Sequence, residues 1–244
     1  MSGLKSKKMK KITLAVIFGG KSSEHEVSLS SAQSVLDNLN REKYNSVPVA
    51  ITKGGFWLIG EKGWKYLENN KGNFGRENAI KVKESNKLAG KKDGENRLIE
   101  YGTGKSKRGI DLVLPMMHGE FGEDGKLQGM LEMMRLPYVF SGVLAHALAM
   151  DKSKAKTIAQ AAGVPVAQEV CIKRNQLNAL SDLKLDYPLV VKPNQAGSSV
   201  GISLVEDEKK LKSSVQTALR FSEEVLLEKY IQGRELTVTV LEKR

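Results

Sequence analysis

The sequence predicts an α/β protein in two parts, a Rossmann-like parallel-sheet domain over residues 12–150 and an α+β domain from residue 151. Three observations carry this. Ile12–Phe18 is a near-continuous apolar run, as a strand covered on both faces of a parallel sheet requires. Gly19-Gly20, a helical pattern and a second apolar run at Ser46–Ile51 come next, making one β-α-β unit with a right-handed crossover. From Val166 the pattern becomes strand, helix, strand, glycine loop, strand, helix, strand, as in a helix layer on an antiparallel sheet.

The chain has 244 residues, enough for a sizeable core. No apolar run approaches about 18 residues, so no membrane span is expected. The basic, then briefly apolar N-terminus faintly resembles a signal peptide. Its apolar part runs into Gly-Gly and a charged segment rather than a cleavage site, so it reads as the first strand. The single cysteine, Cys171, excludes an internal disulfide and fits a reducing compartment. Between Val170 and Ile172 it reads as a core thiol. The net charge is +11, of which residues 1–11 supply +5 and residues 61–110 supply +6. The excess therefore sits in a tail and a Gly-rich stretch, without the basic stripe and interleaved aromatics of a nucleic-acid reader.

Taken in order, Ser23-Glu24-His25-Glu26 has the S-x-x-E pattern of a capping box. It opens a helix from about Val27 to Leu39, with Val27, Ala32, Val35, Leu36 and Leu39 on one side. Residues 53–109 read as an irregular insertion. Phe56–Ile59 fits a hairpin strand with Trp64, Tyr66 and Leu67 beneath it, and short strands are expected near Ile80–Val82 and Leu98–Ile99. Asp111–Leu114 is the next sheet strand. The glycines and charges after it, His118 to Gly125, lie where α/β sheets place ligands. Lys126–Arg135 is a helix, Tyr138–Phe140 a short strand, and Ser141-Gly142 introduces a helix ending near Met150. The histidines His25, His118 and His146 lack zinc-ligand spacing.

Asp151 caps a helix over Lys152–Ala162, which Gly163 closes. Strands are expected at Val166–Ile172, Leu189–Lys192, Ile202–Val205 and Val225–Tyr230, with helices at Gln176–Leu183 and Glu208–Phe221. The stretch YPLVVKPNQAGSSVG (Tyr187–Gly201) reads as strand, flexible loop, strand. Lys192 ends an apolar strand, and its ammonium needs a partner. A phosphate would satisfy Lys192, the serines and the loop N–H groups together. An ordinary Gly/Ser hairpin turn reads equally well from this loop alone.

HGEFGEDGKLQGMLEMMRLPYVFSG (His118–Gly142) and YPLVVKPNQAGSSVG together resemble the D-alanine–D-alanine ligases, ATP-grasp enzymes of bacterial cell-wall synthesis. FGGKSSEHEVSLSSA (Phe18–Ala32), AMDKSKAK (Ala149–Lys156) and EKYIQGRELTV (Glu228–Val238) resemble three further motifs in the same order. The resemblance covers nearly everything except residues 53–109 and the first eleven. It implies a pre-ATP-grasp domain over 12–150, a central ATP-grasp domain over 151–233, and a truncated C-terminal ATP-grasp domain beginning at 234.

The resemblance also implies roles. Glu24 corresponds to the carboxylate that holds the first D-alanine's ammonium, with Ser198 as its hydrogen-bonding associate. His118 and Glu123 line the substrate side. Lys152 and Lys192 grip the ATP phosphates, which Gly197, Ser198 and Ser199 cover. Glu228, Lys229 and Ile231 hold the adenine, and Glu235 the ribose. The implied reaction joins two D-alanines through an acyl phosphate. D-Ala-D-lactate or D-Ala-D-Ser ligation, or a non-catalytic nucleotide-binding remnant, are the alternatives. Mg²⁺ is implied, with ligands expected in a C-terminal part beyond Arg244, so the 244 residues alone are expected to be inactive. A cytoplasmic setting, a homodimer at full length, and no nucleic-acid or membrane partner complete the expectations.

Overall fold

The computed structural model describes residues 10–70, 109–182 and 186–240. The chain divides into two compact units, Met1–Met150 and Asp151–Arg244.

The first unit holds β1 (Ile12–Gly19), α1 (His25–Asn38), β2 (Tyr44–Ile51), β3 (Trp57–Ile59), α2 (Glu61–Asn69), β4 (Leu112–Pro115), α3 (Lys126–Met133) and α4 (Val143–Met150). Its sheet order is β3-β2-β1-β4, with β1 parallel to β2 and β4 and only β3 antiparallel. Strand β1 is central, which explains its continuous apolar run. Ala15 and Ile17 pack with Val49, Val113, Leu127 and Leu131 on one face. Leu14, Val16 and Phe18 pack with Leu29, Ala32, Leu36 and Leu67 on the other. Each large side chain so buried contributes about 1.5–3 kcal/mol.

The second unit holds α5 (Lys152–Ala161), β5 (Glu169–Lys173), a 3-10 helix (Arg174–Asp182), β6 (Leu189–Pro193), β7 (Ser203–Val205), α6 (Glu208–Ala218) and β8 (Glu224–Lys229). Its sheet order is β5-β8-β6-β7, antiparallel throughout. One face, with Ile172, Leu189, Val191, Val205, Val225 and Leu227, packs on Leu211, Val215 and Ala218 of α6. The opposite face carries Glu169, Cys171, Val190, Lys192, Leu226 and Glu228, because side chains alternate along each paired strand.

Several expectations need correction. The Ser23–Glu26 capping box does not form: Glu24 is the N-cap, no side chain caps, and Glu26 pairs instead with Lys53 at 2.7 Å. Helix α1 buries His25, Ser28 and Leu29, while Val27 is 49% exposed. Residues 61–69, read as irregular, form α2, whose Gly63, Tyr66 and Leu67 share one buried face at i, i+3, i+4 spacing. Tyr138–Phe140 gives only one bridge, Tyr138 to Val113, because Phe140 turns to a φ of 86°. The expected Gln176–Leu183 helix is a 3-10 helix beginning at Arg174, and α6 stops at Ala218. Strand β5 begins at Glu169, not Val166. Residues 231–240, where the C-terminal domain is expected to begin, find no ladder partner among the described residues and stay exposed. Cys171 is only half-buried, since it lies on the face away from α6. The strands expected near residues 80–82 and 98–99 lie outside the described residues.

Phe18→Ala should destabilise the chain by about 3–5 kcal/mol, since a fully buried ring leaves a cavity between α1 and the sheet. Val27→Ala on the same helix should stay within about 0.5 kcal/mol. Urea unfolding midpoints at unchanged m-value measure both.

Candidate functional site

In the first unit the ends of β1 and β4 are tied by serines from the loop before α1 and from α1 itself. Ser28 Oγ accepts from Gly19 N at 2.7 Å and donates to the Met116 carbonyl at 2.6 Å. Ser22 Oγ donates to the His118 carbonyl at 2.7 Å and accepts from Glu24 N at 3.3 Å. Gly19 has a φ of 89°, and a Cβ there would strike the Ile51 carbonyl oxygen, so the chain can leave β1 this way only as glycine.

These ties bring Glu24, His118 and Glu123 to one place. Gly119 lies against the Glu24 carboxylate so closely that a Cβ at Gly119 would collide with Oε2. His118 Nε2 faces Ser31 Oγ at 3.0 Å, and its Nδ1 stands 3.5 Å from Glu123 Oε1. Glu123 Oε2 accepts from Gly119 N at 2.8 Å, closing the turn. Buried Gln128 donates from Nε2 to the Gly122 carbonyl at 2.9 Å and braces the same loop. His25 is buried beneath, between the Gly20 carbonyl (2.6 Å) and the Tyr66 hydroxyl (3.1 Å). Burial lowers its pKa, and the bond to Gly20 offsets only part of that. His25 is thus a neutral structural bridge. The first unit therefore gathers two carboxylates, one imidazole and a glycine-lined approach.

In the second unit the charged face of the sheet is completed by α5. Lys192 of β6 pairs with Glu228 of β8. Lys156 of α5 reaches Glu228 Oε1 and Glu169 Oε2, each at 2.5 Å. Burial pushes the Glu228 carboxyl up, but hydrogen bonds from Lys156 and Lys192 outweigh it and hold the group below its ordinary pKa. Lys152 Nζ donates to the carbonyls of Asn194 (3.2 Å) and Ala196 (2.5 Å). Burial, then the neighbouring Lys192 ammonium, lower its pKa. Two ammonium groups thus lie beside the Gly/Ser loop, one of them bonded to backbone carbonyls, with the Asp151 and Glu228 charges acting on it through space.

Asn194 anchors that loop. It is fully buried, accepts from Ser153 N at 3.0 Å and donates to Asp151 Oδ1 and Glu224 Oε2, each at 3.0 Å. Beyond it the chain turns sharply: Ser198 and Ser199 have φ values of 49° and 58°, sparsely populated for non-glycine residues. Gly201 comes next at 74°, and a Cβ there would press on Phe221 at 2.7 Å. Val200 N donates to the Gly197 carbonyl at 3.1 Å, making a tight turn.

Lys152, Lys192 and Glu228 thus converge. Gly197, Ser198 and Ser199 lie in the adjoining loop. Lys229 stands after Glu228 at the strand end, with its N–H bonded to the Gln168 carbonyl at 2.9 Å. Ile231 (68% exposed) and Glu235 lie in the segment without regular structure and are not drawn to the cluster. Sequence reasoning missed Lys156, Glu169 and Asn194. Lys156 was legible as the residue one helical turn after Lys152; Glu169 needed the β5–β8 register. Among the described residues no group of three His, Cys, Asp or Glu side chains could hold a metal ion. No described helix is long and apolar enough to cross a membrane.

Residues 13–141 match the family description "D-ala D-ala ligase N-terminus" and residues 157–244 match "D-ala D-ala ligase C-terminus". A D-alanine–D-alanine ligase of Natranaerobius thermophilus is 39% identical over 243 residues, covering 96% of this chain and 64% of the relative. The structure of the VanG D-Ala:D-Ser ligase from Enterococcus faecalis superposes with a TM-score of 0.73 at 33% identity, covering 92% of this chain and 64% of that one. A Bacillus anthracis D-alanine–D-alanine ligase complexed with ATP gives a TM-score of 0.61 at 29% identity, covering 91% and 60%. The chain thus spans about 64% of the length of the curated relative. The family's C-terminal description applies within it from residue 157, so the expected absence of that part is not supported.

Asp151 supplies a pH test of the α5 anchor. Its carboxyl is almost wholly buried and would be pushed up by burial, but Lys154, Asn194 and Gln195 bond to it and bring its pKa to about 2. A depressed carboxyl pKa contributes stability that is present above the ordinary value of 3.8 and lost as pH falls toward about 2. Asp151→Asn should therefore be less stable at pH 7 and lose less stability than the parent between pH 4 and pH 2. Parallel slopes in urea titrations across that window would contradict the assignment.

Proposed function

The chain belongs to the D-alanine–D-alanine ligase family, and on that footing we propose that the protein joins two D-alanines at the expense of ATP. Glu24 holds the ammonium of the first D-alanine, with His118 and Glu123 beside it and Ser198 as a hydrogen-bonding associate. The γ-phosphoryl group passes to the first carboxylate, giving an acyl phosphate and ADP. The second amine attacks that carbonyl, the C–O bond to phosphate breaks, the amine loses a proton, and inorganic phosphate leaves.

Phosphoryl transfer requires positioning and charge neutralisation more than covalent help from the protein. Lys152 and Lys192 supply positive charge at the phosphates. The N–H groups and hydroxyls of Gly197, Ser198 and Ser199 cover them and keep water from the acyl phosphate. Glu228, Lys229 and Ile231 take the adenine, and Glu235 the ribose. The family also implies Mg²⁺; the described residues offer no acidic cluster that fits it, so no step is drawn through the metal. The product serves peptidoglycan precursor synthesis, and the single, half-buried cysteine suits a cytoplasmic setting.

The observation that carries this reading is the convergence of Lys152, Lys192 and Glu228 on one sheet face beside a loop rich in glycine and serine. It joins residues 36 or more positions apart that a structural hairpin alone has no reason to gather.

ATP binding by the 244-residue chain tests the proposal, with Lys192→Ala as the variant. A charge-assisted bond to phosphate is worth about 1.5–3 kcal/mol, so affinity should fall by about ten- to a hundredfold. Lys192→Arg should restore only part, since a planar fork differs from a point charge on a flexible stem. A variant that binds ATP as the parent does, at an unchanged melting temperature, would remove Lys192 from the site.

A further inference from the structure

Lys156 has no place in the proposed chemistry, yet it stands between two carboxylates. Its Nζ lies 2.5 Å from Glu169 Oε2 and 2.5 Å from Glu228 Oε1. The three side chains are only 17%, 16% and 12% exposed. Glu169 and Glu228 are direct partners in the antiparallel β5–β8 ladder, so their carboxylates emerge side by side on the same face. Like charges placed so oppose strand pairing unless a cation stands between them. Lys156 is that cation.

Glu228 has a second lysine. Its Oε2 pairs with Lys192, which reaches it from β6 on the same face. The result is a chain of alternating charge, Glu169, Lys156, Glu228, Lys192, running from the β5 edge toward the Gly/Ser loop. Lys152, close enough to feel the Lys192 charge, has its ammonium turned to the Asn194 and Ala196 carbonyls. A Lys192 ammonium that turns to an anionic ligand shares or gives up its bond to Glu228. If Glu228 had Lys192 alone, that exchange would leave two adjacent, mostly buried carboxylates with no cation, a costly state. With Lys156 in place, Glu228 keeps a partner after Lys192 has gone.

We propose that Lys156 is a positioning residue of the nucleotide site: it neutralises Glu169 and Glu228 so that Lys192 is free to exchange Glu228 for a phosphate. The inference rests on the reading that Lys192 meets phosphate. It assigns Lys156 no contact with the nucleotide. It also distinguishes Lys156 from a plain brace between α5 and the sheet, because the two roles respond differently to removal of Glu169.

The test uses the 244-residue chain, ATP with Mg²⁺ as the probe, calorimetric affinity and a thermal melt. Lys156→Met should lower the melting temperature and weaken ATP by roughly tenfold, the scale of one charge-assisted bond. Lys156→Met combined with Glu169→Gln removes the unpaired acid beside Glu228. It should recover most of the melting temperature but leave ATP weak, since Glu228 still depends on Lys192 alone. Lys156→Arg should keep both. ATP affinity unaffected by Lys156→Met, or regained together with stability in the double variant, would overturn the inference while leaving the ligase reading in place. A parent chain that binds no ATP would overturn that reading and this inference with it.

Discussion

The two-residue period of the β-strand governs the second unit. Along β8, Val225 and Leu227 turn to α6 and close the core, while Leu226 and Glu228 turn the other way. The antiparallel register carries that alternation across the sheet, so Lys192 and Glu169 share the face of Glu228. A slip of one residue in β8 would send Glu228 into the apolar core and Leu227 to the charged face. Burial of the α6 side therefore enforces the register, and the register assembles the charges. The stability of one face is what gives the other its geometry.

The first unit solves a related problem by a different route. Its central strand is apolar on both faces along most of its length, so β1 itself has little to offer a ligand. The candidate groups Glu24, His118 and Glu123 come from the loops beyond the strand ends. Gly19-Gly20 turns the chain through conformations that disfavour a side chain, and serines on and before α1 bind the backbone where β1 and β4 finish. These polar ties fix the backbone beside Glu24 and His118. Gly119 then allows the Glu24 carboxylate to lie directly on the loop backbone.

Legibility in the sequence divides along the same line, between local pattern and tertiary register. Strand β1, β2, the glycine exit and the antiparallel layer were readable because hydrophobic period and glycine placement are local signals. Helix α2 was obscured by the surrounding Lys-, Asn- and Gly-rich composition, although Gly63, Tyr66 and Leu67 carry the helical spacing. The capping box failed because Glu26 has a distant competitor in Lys53, which no local pattern announces. Leu236, Val238 and Val240 alternate as a strand does, yet alternation is only half of a strand; the other half is a neighbouring ladder. Glu24, Lys152, Lys192 and Glu228 were named through motif resemblance. Their partners Ser28, Lys156, Glu169 and Asn194 were not, because each acts through a contact set by tertiary register.

The charge array also bears on why lysines with so little water around them persist. Lys192 is 19% exposed and Lys156 17%, so each would be costly without a carboxylate. Hydrophobic residues of similar volume would often hold such a sheet face at least as well, which makes stability a weak reason for the array. Its arrangement is better suited to exchange than to locking: Glu228 is shared, Lys152 rests on carbonyls, and the loop that would close over an anion contains two serines in left-handed conformations. Such residues persist where the surroundings over-determine them, and here the Asn194 anchor on one side and the Gly201–Phe221 contact on the other do so. The site thus combines a rigid sheet, which fixes where positive charge stands, with a loop held at its two ends and strained between them.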